Sequence, residues 1–182
     1  MKNLLYFFIF WAALTQAQGQ GYTFDFSERT YMIPDLKKLT YAPEDTVMVD
    51  KLIFIKKERL DRFIPEGWKI PDLQEAKDFI GQLEGKDNGT GGKETDSAGL
   101  SAILPYRLNG IYFSATKKLY GRNTMTAYYI APDVPHSFSE EKEEMAQATL
   151  YVYSGRNGKM NVELSYTKVD NAVYCSLLLI KK

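Results

Sequence analysis

Ala172-Val173-Tyr174-Cys175-Ser176-Leu177-Leu178-Leu179-Ile180 (AVYCSLLLI), near the C-terminal end, is apolar at both odd and even positions. A strand with one wet face alternates, whereas a strand apolar on both faces is covered above and below. The segment therefore reads as the central strand of a sheet, with neighbours on each side. Val47–Ile55 (VMVDKLIFI), rich in β-branched residues, is the expected neighbour. An amphipathic segment starting at Asp72 is expected to seal one face.

That segment has a marked beginning. Asp72-Leu73-Gln74-Glu75 follows Pro71 as a D-x-x-E capping box, in which each side chain can satisfy a backbone N–H left over at a helix start. Leu73, Ala76, Phe79, Ile80 and Leu83 recur at spacings of three and four, and Gly85 ends the helix. Asp72 and Glu75 are thus read as structural residues. Lys86–Ala98 (KDNGTGGKETDSA) is polar, glycine-rich and aperiodic, and reads as a loop.

From Leu100 onward the pattern is β. Leu100–Tyr106 and Ile111–Ala115 flank Asn109-Gly110, and Ala148–Tyr153 and Lys159–Thr167 straddle Gly155–Gly158; both read as hairpins. Met160, Val162, Leu164 and Tyr166 alternate with Asn161, Glu163, Ser165 and Thr167, the mark of a half-buried strand. Met125–Ala131 is a further strand, Pro132–Ser139 a loop, and Glu140–Gln147 (EEKEEMAQ) a solvated turn of helix or an acidic loop. Toward the other end, residues 20–46 hold short apolar patches broken by Pro34 and Pro43, and read as an irregular N-terminal arm with one edge strand.

Composition sets the class. The chain has 182 residues, 45% of them hydrophobic and 25% charged, which suits one globular domain. Basic and acidic residues both number 23, so charge gives no reason to expect a nucleic-acid partner. A single Cys excludes an internal disulfide, and a single His excludes a multi-histidine metal site within the chain. Lys2 followed by the apolar run Leu4–Leu14, with Ala17-Gln18-Gly19 offering small residues for cleavage, matches a secretory signal peptide. Residues 1–19 are therefore expected to be removed on export, with no lipid anchor because no Cys follows the run. Residues 20–46 form the arm and residues 47–182 the domain. No membrane insertion is expected once the leader is gone.

Three stretches carry a resemblance. Pro65-Glu66-Gly67-Trp68 leads through Lys69-Ile70-Pro71 into the capped helix. Gly99-Leu100-Ser101-Ala102 runs into Leu104-Pro105-Tyr106-Arg107 and Asn109-Gly110. Val173-Tyr174-Cys175-Ser176-Leu177 closes the chain. In this order they resemble the Fibrobacter succinogenes major paralogous domain, a bacterial family with a C-type-lectin-like fold, over residues 66–182. The resemblance implies an α+β domain, a mostly antiparallel twisted sheet with one or two helices, whose last strand pairs with its first. Met125-Thr126-Ala127-Tyr128-Tyr129 stands where the family has a Trp-rich segment, and Tyr174 where it has Arg. The calcium-ligating tripeptides of animal C-type lectins are absent, so recognition is expected to be calcium-independent, with no cofactor and no metal. Formylglycine-generating enzymes share that fold but use two nearby cysteines, and this chain has one.

Candidate residues divide accordingly. Trp68, between Gly and a Pro-led helix, reads as a core pin. Cys175 reads as a small buried hydrophobe. His136, in a loop with no G-x-S-x-G turn elsewhere, reads as an exposed imidazole. Glu140, Glu141, Glu143 and Glu144 read as a solvated face. Asn88-Gly89-Thr90 is an N-glycosylation sequon, and Asp45-Thr46-Val47 and Asp96-Ser97-Ala98 fit a bacterial O-glycosylation pattern. Tyr128, Tyr129, Tyr151 and Tyr153 fall on strands, where alternation turns some outward. With Arg107 they are the candidate ligand-binding residues; the other reading is half-buried strand filler. The function expected is a secreted or cell-surface, non-enzymatic module contacting a protein or glycan. The alternatives are a structural subunit of a bacterial surface assembly and, more distantly, a lectin-fold enzyme.

Overall fold

The computed structural model describes residues 21–39, 41–104, 108–139, 142–155, 158–169 and 173–182. The expected signal peptide (residues 1–19), Arg107 and Ala172 lie outside the described residues. The chain enters as a hairpin of β1 (Gly21–Phe26) and β2 (Arg29–Pro34), with Tyr22 opposite Ile33 and Phe26 opposite Arg29. Ser27 and Glu28 turn it at φ 51° and 65°, left-handed values that match the twist of paired strands. The expected irregular arm is thus corrected. β2 is an inner strand that buries Tyr31 and Met32.

The expected strand Val47–Ile55 is itself two strands, β3 (Thr46–Val49) and β4 (Leu52–Ile55), folded over Asp50 and Lys51 at φ 49° and 67°. No Gly or Asn marks either of these turns, so the sequence pattern runs straight through the second. β5 (Trp68–Lys69) precedes α1 (Leu73–Gln82), whose capping box forms as expected. Asp72 Oδ1 accepts from the Glu75 N–H at 2.9 Å, and Glu75 Oε2 accepts from the Asp72 N–H at 3.0 Å. Glu75 Oε1 also meets Arg29 of β2 at 2.7 Å and Lys69 of β5 at 2.9 Å, which ties the helix start to the sheet.

Lys86–Ala98 is more ordered than its composition indicates. β6 (Lys86–Asp87) and β7 (Lys93–Asp96) pair, and α2 (Ser97–Ile103) follows. Asp96 Oδ2 accepts from the N–H groups of Ala98 and Gly99 at 3.1 and 3.2 Å, so a helix starts where a strand was expected at Leu100–Tyr106. Leu100 and Leu104, four apart and both buried, are its core face. The Asn109-Gly110 hairpin is corrected with it. β8 (Ile111–Phe113) pairs forward with β9 (Lys118–Tyr120), and Gly110, at φ 82°, lies so close to Tyr120 that a Cβ would stand 2.5 Å from its carbonyl oxygen.

β10 (Met125–Tyr129), β11 (Val134–Ser139), β12 (Lys142–Ser154) and β13 (Lys159–Lys168) complete the larger sheet, in the order β10-β12-β13-β7-β6 with β11 also on β12. The expected loop Pro132–Ser139 and, over Lys142–Gln147, the expected acidic turn give way to the paired strands β11 and β12, while Glu140 and Glu141 lie outside the described residues. The acidic stretch hid a strand because its outer half is wet on both sides and carries no apolar alternation. The β12–β13 hairpin stands as expected, with Leu150 opposite Leu164 and Val152 opposite Val162.

The tail is inner, as its two apolar faces require, but its neighbours differ from the one expected. β14 (Val173–Tyr174) pairs with β8, Cys175 bridges Ile55, Ser176 bridges Tyr128, and β15 (Leu179–Lys181) lies between β2 and β5 in the order β1-β2-β15-β5. Among the described residues, backbone pairing with Val47–Ile55 is reduced to the bridge at Ile55. Side-chain alternation along this segment serves two cores. Leu178 and Ile180 join Phe79, Ile80 and Leu83 of the α1 region, while Val173, Cys175, Leu177 and Leu179 join Ile55, Phe63, Ile111 and Tyr129 on the other side. Burying each Leu or Ile contributes roughly 1.5–3 kcal/mol, so a one-residue slip of the tail would expose both sets to the wrong core. The result is a mostly antiparallel β protein with two short α-helices and two 3-10 helices, Pro43–Asp45 and Lys57–Phe63, among the described residues.

Candidate functional site

Of the expected tyrosine surface, Tyr128 and Tyr129 are buried, whereas Tyr151 and Tyr153 are half-buried. Tyr128 and Tyr129 are 2% and 1% exposed, on opposite faces of β10, and each belongs to one of the two cores. The Tyr129 hydroxyl donates to the Ile55 carbonyl at 2.7 Å and lies 3.3 Å from that of Val173, which stitches β10 to β4 and the tail. Burial foremost, then the neighbouring Cys175, pushes the Tyr151 phenol up to about 12. Tyr153 is half-buried, its phenol raised by desolvation and by Glu163. The filler reading therefore describes Tyr128 and Tyr129, and both leave the candidate contact surface. Trp68 is half-buried against the second core. Cys175 lies within that core, where burial raises its thiol and keeps it protonated.

Aromatic residues do reach solvent, at a place the sequence pattern concealed. On β11, β12 and β13 the register sets His136 opposite Glu144, and Lys168 opposite Ala146. The His136 ring stacks on Tyr166 with centroids 4.1 Å apart and planes 7° from parallel. Phe138 meets His136 edge-on at 4.9 Å. Lys168 Nζ lies 5.4 Å from the Phe138 centroid and 2.8 Å from Glu144 Oε2. Phe138 is 37% exposed, and Met145, on the opposite face of the same hairpin, is 52% exposed. Among the described residues β13 pairs with β12 as far as Ala146, so His136 and Phe138 reach past that ladder while Tyr166, opposite Ala148, stays within it. No apolar alternation runs back through Glu144, so only the β11–β12 register brings His136 to this place.

A second concavity of about 590 Å³ opens between the β1–β2 end, the β3–β4 turn and the tail, with Tyr128, Ser176 and Leu177 among its lining. Lys37, Lys38 and Lys51 stand on it, against one carboxylate, Asp35. Elsewhere the buried acids are already satisfied. Asp45 takes Arg62 at 2.8 Å and the Ala42 N–H at 3.1 Å, and Glu75 is held as described. The Asn88 side chain is occupied as well. Its Oδ1 accepts from Thr90 and Gly92 N–H groups, each at 3.0 Å, and its Nδ2 donates to Glu163 at 3.0 Å, so the sequon asparagine organises the β6–β7 loop. Among the described residues no three His, Cys, Asp or Glu side chains gather as metal ligands, and no helix is long and apolar enough to cross a membrane.

Compared with known proteins, the chain matches no family model, no curated protein and no solved structure.

Proposed function

We propose that the chain is an exported, non-enzymatic binding module with a C-type-lectin-like domain, which contacts a glycan or protein through exposed aromatic side chains. The observation that carries this reading is the cluster of His136 and Phe138, on the outer half of β11, with Tyr166 of β13. Rings held by one another present contact area at little entropic cost, and a flat stack suits a sugar ring or an apolar side chain. Lys168 and Glu144 beside it add a donor and an acceptor for orientation. This face takes over the role first given to Tyr128 and Tyr129.

A glycan array tests the proposal, probed with the intact protein and with Phe138→Ser. Selective retention of the intact protein, weakened about tenfold or more in the variant, is the expected outcome for loss of an anchoring aromatic. A glycan array and a protein array both without hits, or equal retention of both proteins, overturn it. The second reading, a subunit of a surface assembly, draws on β1, the outer strand of its sheet, where Tyr22 is 54% exposed. It requires a sedimentation coefficient that rises with concentration.

A further inference from the structure

We infer that the cleft beside β4 is a second binding site, and that it takes an acidic peptide in extended conformation whose carboxylates alternate with aliphatic side chains. The site goes beyond the aromatic face and uses none of its residues.

The backbone argument comes first. Ile55 turns its outer edge toward Cys175, which it bridges in antiparallel sense. Hydrogen-bonding direction repeats every second residue along a strand, so Ile53 turns its own N–H and C=O to that same edge. Past Cys175, however, the tail leaves β4 and bridges Tyr128 through Ser176. The divergence opens the cleft, and among the described residues Ile53 pairs only with Met48 of β3. An extended peptide laid there continues the pairing that the tail abandons, the strand-addition mode of peptide recognition.

Side chains then select the sequence. Ile33, Leu36 and Leu177 form an aliphatic wall, which favours aliphatic residues at alternate peptide positions. Lys37 and Lys51 are both exposed and have no carboxylate partner among the described residues, whereas Lys38 is engaged by Asp35 at 3.5 Å. Two uncommitted ammonium groups on a chain of balanced charge complement carboxylates at the intervening positions. The cleft's 590 Å³ lies within the roughly 300–1,000 Å³ usual for ligand sites. Gln18-Gly19-Gln20, the residues leading into Gly21, carry no acid and so lack this complement.

The test is fluorescence anisotropy with a dye-labelled short peptide alternating glutamate and valine, added to the purified protein. Saturable binding is expected, about tenfold weaker for the glutamine–valine analogue because charge-assisted contacts are lost. Methylating the backbone nitrogens of the peptide should abolish it. The variant carrying Lys37→Gln and Lys51→Asn should lose about tenfold; Asn tolerates the left-handed φ of 67° at that turn, so the hairpin is kept. Phe138→Ser should leave peptide affinity unchanged, which separates this site from the aromatic face. No saturable binding, equal affinity for the glutamine analogue, tolerance of backbone methylation or an unaffected lysine variant each overturns the assignment.

Discussion

Replacing Gln147 by Leu tests how the tail is held. Gln147 is 0% exposed on β12, and its amide serves Val173 as a neighbouring strand would. The Val173 N–H donates to Gln147 Oε1 at 3.1 Å, and Gln147 Nε2 donates to the Val173 carbonyl at 2.9 Å. Leu fills a similar volume and offers neither group. The Val173 N–H is then orphaned in the core, at a cost of about 1–3 kcal/mol. The carbonyl keeps two weaker contacts, a share of the Tyr129 hydroxyl proton at 3.3 Å and the Cys175 thiol at 3.8 Å, so its loss adds no more than about 1 kcal/mol. Burial of Leu offsets roughly 1 kcal/mol. The net expectation is a destabilisation of about 2 kcal/mol, or a urea midpoint lower by about 1 M at a slope of about 2 kcal/mol/M. Adding Tyr129→Phe leaves the carbonyl only the weak Cys175 thiol donor at 3.8 Å, so the double variant should lose more than the sum of the singles by at least about 0.5 kcal/mol. A midpoint unchanged in Gln147→Leu, or strict additivity in the double variant, would refute the strand-mimic reading.

Asp72→Ala removes the helix cap and should cost about 1 kcal/mol in urea unfolding near neutral pH. The hydrogen bond from the Glu75 N–H, assisted by Lys69, holds the Asp72 carboxyl below its ordinary 3.8. A lowered acid contributes stability above its unfolded value and loses it as pH falls through the folded one, so the gap between wild type and Asp72→Ala should close in acid; a constant gap contradicts the cap. Burial raises the Tyr129 and Tyr151 phenols, Tyr151 to about 12. The folded state then holds protons that the unfolded chain releases, so urea midpoints should fall between about pH 9 and about pH 11, and equal midpoints count against the burial. Asn88→Ala frees the Thr90 and Gly92 N–H groups and should cost about 1–2 kcal/mol, with faster hydrogen exchange confined to the β6–β7 loop. Unchanged exchange there contradicts the loop's dependence on that side chain.

What could be read along the chain was whatever a periodicity or a cap encodes locally. The D-x-x-E box and its apolar stripe specify α1, the alternation of Lys159–Thr167 specifies β13, and the two-faced apolarity of AVYCSLLLI specifies an inner tail. Other features were invisible because their signal lies across space. The turn at Ser27-Glu28 lacks Gly, Asn and Asp, and Asp50-Lys51 has only the first residue of a usual left-handed pair, so both depend on the strands they join. Gln147 looks like the end of a solvated stretch until Val173 is brought against it. Tyr128 and Tyr129 have the same composition whether they face a ligand or a core, and only packing on both sides of β10 buries both. The sequence thus determined which segments must be covered, since hydrophobicity is a property of residues. The tertiary structure alone decided what covers them and which aromatics were left outside, since that depends on which strands meet.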